Sequence, residues 1–63
     1  MDENDIEIIE YITQLKISNF IKENKDMDKK QLVKEIEKII EEKEKMYNMD
    51  KEEIEKILKK ERR

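Results

Sequence analysis

The side chains that could do chemistry in this chain are few and of limited kinds. It has 63 residues, with 18 acids and 15 bases but no His and no Cys. The usual general base and the most reactive nucleophile are therefore both missing. Tyr11, Thr13, Ser18 and Tyr47 carry the only hydroxyls, and with no Gly in the chain no glycine turn can present one as a nucleophile. Paired carboxylates can do acid–base work, but only in a concave, partly dry pocket, which short helices seldom form. The expectation is no catalytic residue, no cofactor and no enzyme.

Oxygen ligands for a hard cation come closest to a pattern. Asn24, Asp26 and Asp28 alternate along the chain, and Glu35 stands at the twelfth place counted from Asn24. This spacing resembles an EF-hand loop, as do Ile36, Ile39 and Ile40 in the exiting helix. It departs where the physics is strict. The first place holds Asn instead of Asp, and the sixth, which needs Gly for its sharp turn, holds Lys29. Lys29 and Lys30 also place positive charge beside the would-be ion. A plainer role for Asp28 is to start a helix, and no metal site is expected.

The basic residues raise the question of nucleic acid. Lys56, Lys59, Lys60, Arg62 and Arg63 crowd the end of the chain, and a tight turn precedes this last helical segment. A recognition helix reads bases mainly from its first residues, and here those are Glu52, Glu53 and Glu55. Carboxylates there would meet phosphates. The acid-to-base order also suits a helix dipole, reinforced by Glu52–Lys56 and Glu55–Lys59 pairs. With a pI of about 5.1 and a net charge of −3, nucleic acid is not the expected partner. A regulator binding nucleic acid through this basic helix stands as the competing class.

No apolar run reaches the roughly 18 residues needed to cross a bilayer, and no signal-peptide core is present. The expectation is a cytoplasmic protein with no membrane association. Gly, Pro, Ala and Cys are all absent. Their absence suits an AT-rich genome or one of its phages. A designed, purely structural bundle is the alternative, against which the lack of Ala counts, since Ala is the best helix former.

The elements are written into a repeated phrase. Met1-Asp2, Met27-Asp28 and Met49-Asp50 are each followed by an acid or amide three residues after the Asp, then by Ile6, Leu32 or Ile54. With Asp as N-cap this is a capping box with a hydrophobic staple. It predicts a long helix 1 over 3–24, a long helix 2 over 29–47 and a short helix 3 over 51–62. Asn24 and Asn48 stand where a left-handed C-cap residue would end the first two. The last phrase, Met49 to Leu58, resembles the cap and helix of small regulatory helical hooks such as antirepressor dimerisation domains. That likeness covers ten residues, lacks the upstream aromatic anchor of such hooks, and assigns no family.

The predicted fold class is all-α: a small three-helix bundle, or a helical-hairpin dimer, in one domain over 1–63. Leu, Ile, Val and Phe make up about a quarter of the chain, just above the level typical of disorder. So short a chain buries little by itself, and self-association would add to its core. Helix 2 carries one stripe of Leu32, Ile36, Ile39 and Ile40, with Val33 and Tyr47 on the same side. Helix 1 carries two flanks: Ile8, Tyr11, Ile12 and Leu15 on one, and Ile6, Ile9, Ile17, Phe20 and Ile21 on the other. That surplus marks helix 1 as an interface. The expected role is a small regulator, inhibitor or adaptor that binds a protein partner or its own copy as a homodimer. Its contact face would be Ile9, Ile17, Phe20 and Ile21, with Phe20 as the main anchor.

Overall fold

Residues 3–62 are described in a computed structural model of the chain. They form α1 (Glu3–Glu23), α2 (Lys29–Met46) and α3 (Lys51–Glu61), with no strand among them. The protein is an all-α three-helix bundle. α2 and α3 begin where the Met-Asp phrases place them. Asp50 takes an extended backbone, and its carboxylate accepts from the Glu53 N–H at 3.0 Å. Asp28 is extended too, but its side chain makes no cap bond; its backbone carbonyl accepts from Leu32 N–H at 2.8 Å. The side-chain cap bond of Asp therefore forms at α3, and only the backbone part at α2. Met1 and Asp2, the first copy of the phrase, lie outside the described residues, as does Arg63.

The helix ends differ from expectation. Among the described residues none has a positive φ, so neither Asn24 nor Asn48 adopts the left-handed conformation. Instead the Asn24 side chain donates to the Phe20 carbonyl at 2.9 Å, which also accepts from the Asn24 N–H at 3.1 Å. Tyr47, still right-handed, closes α2 through its N–H. The expected Glu52–Lys56 and Glu55–Lys59 pairs do not form either. The ion pairs among the described residues are Lys16–Glu42, at 2.8 Å, and Lys38–Glu35, at 3.2 Å.

Two polar contacts fix the topology. Lys16–Glu42 joins the middle of α1 to the second half of α2, which runs antiparallel to it. Asn19 reaches Glu61 at the end of α3, while Lys51 and Glu55 at its start lie beside Asn4, Ile8 and Tyr11. So α3 runs parallel to α1. Both α2 and α3 pack on α1 and scarcely on each other.

This arrangement accounts for much of the apolar surplus of α1. Its two flanks are the edges of one broad arc, with α3 against one and α2 against the other. Ile9 and Ile12 are fully buried there and meet Met46 of α2 and Ile54 of α3, with Ile8, Met49, Ile57 and Leu58 packed around them. Thr13, also buried, donates its hydroxyl to the Ile9 carbonyl one turn earlier, so the core holds no unsatisfied hydroxyl there. A core this small leaves little stability to spare.

Candidate functional site

Because α3 sits on α1 and not on α2, α2 has only one helical neighbour to cover its apolar stripe. The stripe is too wide for that. Its inner edge, Leu32, Ile36, Ile39 and Met46, turns inward, with Met46 fully buried and the other three half-buried. Its outer edge does not. Val33, Ile40 and Tyr47 follow one another at seven-residue steps, and remain 53%, 46% and 37% exposed. Seven residues are nearly two turns, so the three form one strip, about 21 Å long at 1.5 Å per residue.

Where this strip points follows from the groove on the other side of α2. Ile39 and Glu42 line that groove together with Lys16, Phe20 and Glu61, so it faces α3. Val33, Ile40 and Tyr47 lie roughly 80–120° further round α2 at about 100° per residue, on the side away from α3. On α1 the same step separates Phe20, in the α3-side groove, from Ile21. Ile21 is 42% exposed and shares the open side with the α2 strip. The register set by Lys16–Glu42 puts Ile21 level with Ile36 and Glu37, between Val33 and Ile40. Four of the five most exposed large apolar side chains thus share one face. The fifth, Tyr11, lies elsewhere, near the start of α3 beside Lys51 and Glu55.

The four expected contact residues of helix 1 are therefore dispersed. Ile9 is fully buried in the core and presents nothing to a partner. Phe20 is half-buried in the α3-side groove, and Ile17 is half-buried at the edge of the open face. Only Ile21 is well exposed. The exposed strip of Val33, Ile40 and Tyr47 lies outside that set. Its signal in the sequence is the seven-residue spacing of the three, which periodicity alone does not separate from the inward edge of the same stripe.

Charge surrounds this face in an ordered way. Val33 sits among Lys29, Lys30, Lys34 and Glu37. Along the outer rim of α2 the exposed charges run Lys30 and Lys34, then Glu37, Glu41 and Glu44. The rim is basic up to Lys34 and acidic from Glu37 on, with the exposed Lys38 and Lys45 further round the helix.

The other candidate sites remain scattered. Glu35 lies well inside α2, about 10 Å along the axis from Asp28, and its carboxylate accepts from Lys38. Among the described residues no three His, Cys, Asp or Glu side chains gather to hold a metal. At α3, Lys56, Lys59, Lys60 and Arg62 are exposed, and so are Glu52, Glu53 and Glu55. Among the described residues no helix is long and apolar enough to cross a membrane. Neither family models, curated proteins nor solved structures give a match to this chain.

Proposed function

We propose that the chain is a non-enzymatic protein–protein interaction module, a small regulator, inhibitor or adaptor, acting through the open α1–α2 face. The observation that carries this is the clustering of Ile21, Val33, Ile40 and Tyr47, all well exposed, on the one side that α3 leaves uncovered. Large apolar side chains scattered singly need no explanation, but a contiguous strip on so small a protein marks a contact surface. Binding would bury the aliphatic strip at the centre, with Tyr47 as the aromatic anchor at its end. The Lys and Glu rim would steer the encounter and set register more than strength.

Single charges placed in the strip test this reading. Ile40→Glu and Val33→Glu should abolish association, whether of the purified protein with itself or with a protein captured from a lysate of its native host. Tyr11→Glu, beside the start of α3 and outside the strip, should leave association intact. Association that survives Ile40→Glu unchanged overturns the proposal.

A further inference from the structure

We infer that the occupant of the open face is a second copy of this chain, docked α2 against α2 in antiparallel register about a two-fold axis near Ile36 and Glu37. The inference rests on the reading of the face given above and adds the partner and its orientation. Its basis is the order of the rim charges. Lys30 and Lys34 precede Glu37, Glu41 and Glu44 along the exposed edge of α2. A rim that turns from basic to acidic along the helix is complementary to itself only when the copy runs the other way.

A two-fold axis across the helix makes the contact isologous, so every pairing occurs twice. With the axis between Ile36 and Glu37, Val33 of one copy is level with Ile40 of the other. Lys30 then falls near the copy's Glu44, and Lys34 near its Glu41. Ile21 is level with the axis itself, so both copies bring it to the centre of the contact. In this register Val33, Ile40 and Ile21 meet at the centre, while Tyr47 extends past the start of the copy's α2. The product is a four-helix layer of two α1–α2 hairpins, the hairpin dimer of an all-α bundle, with each α3 on the outside. A parallel pairing would instead set lysines against lysines and glutamates against glutamates, which opposes association.

Charge reversal provides the test. Two variants are made, Lys30→Glu with Lys34→Glu, and Glu41→Lys with Glu44→Lys. Most of these changes also suit the α2 dipole, and circular dichroism checks that both variants stay helical. Analytical ultracentrifugation should show the wild type dimerising with concentration, and each variant alone doing so at least about tenfold more weakly. An equimolar mixture of the two variants should recover dimer, because one copy then carries an all-acidic rim and the other a rim that is basic at every place but Glu37.

A wild type that stays monomeric at every concentration overturns the second copy as occupant, while capture of a lysate protein sensitive to Ile40→Glu would still uphold the face. A dimer abolished by Ile40→Glu but indifferent to both charge reversals keeps the face and overturns the antiparallel register.

Discussion

Asn19 donates from Nδ2 to both the backbone carbonyl and Oε2 of Glu61, each at 3.2 Å. These bonds fasten the last turn of α3 along α1, on the side away from the Val33–Ile40 strip. By holding α3 there they help leave the α1–α2 face uncovered. Fold and proposed function meet in this one contact.

Asn19→Ala removes both bonds and should cost about 1 kcal/mol, the net worth of a partly buried hydrogen bond. The loss should be local. Amide hydrogen exchange should quicken in α3, above all in its last turn, while the middle of α1 and of α2 keeps its protection.

The two caps should respond unequally. Asp50 holds the Glu53 N–H through its side chain, so Asp50→Ala should cost about 1 kcal/mol in a urea titration. Asp28 makes no side-chain cap bond, and Asp28→Ala should cost distinctly less. Equal losses would show that the carboxylate of Asp28 caps α2 in solution after all.

Local features of the fold were legible in the sequence, and relations between helices were not. Met27-Asp28 and Met49-Asp50 locate the starts of α2 and α3 because capping is decided within four residues. The left-handed ends expected at Asn24 and Asn48 give way to other local bonds: the Asn24 side chain bonds back to Phe20, and the Asn48 N–H donates to the Lys45 carbonyl. The four residues read as one contact face on α1 are dispersed for a different reason. Ile9 belongs to the core and Phe20 to the α3-side groove, because α2 and α3 together cover more of α1 than their own apolar stripes suggest. The surplus belongs to α2, which has one helical neighbour. Which helix lies between the other two is a property of the whole chain. No periodicity within α1 or α2 reveals it.

The core is small enough for one deletion to decide the fold. Ile12 is fully buried against Ile9, Met46 and Ile54. Ile12→Ala should cost about 2–5 kcal/mol, comparable with the whole stability expected of a chain this size. Circular dichroism at 25 °C should show the variant largely unfolded, and Tyr11→Ala, exposed beside it in sequence, should remain folded.

Calcium should do nothing. Glu35 is held inside α2 and already engages Lys38, and Lys29 occupies the place where the loop would have to turn sharply. Millimolar calcium should change neither the helical signal nor the melting temperature. A rise in melting temperature that chelation reverses would contradict this.

The open α1–α2 face is tested most directly by Ile40→Glu. Sedimentation velocity of wild type and variant, over the same range of concentrations, compares a face with and without one buried charge. The wild type should sediment increasingly as a dimer as concentration rises, and Ile40→Glu should stay a folded monomer throughout. Identical sedimentation of the two proteins as dimers would contradict the assignment of this face.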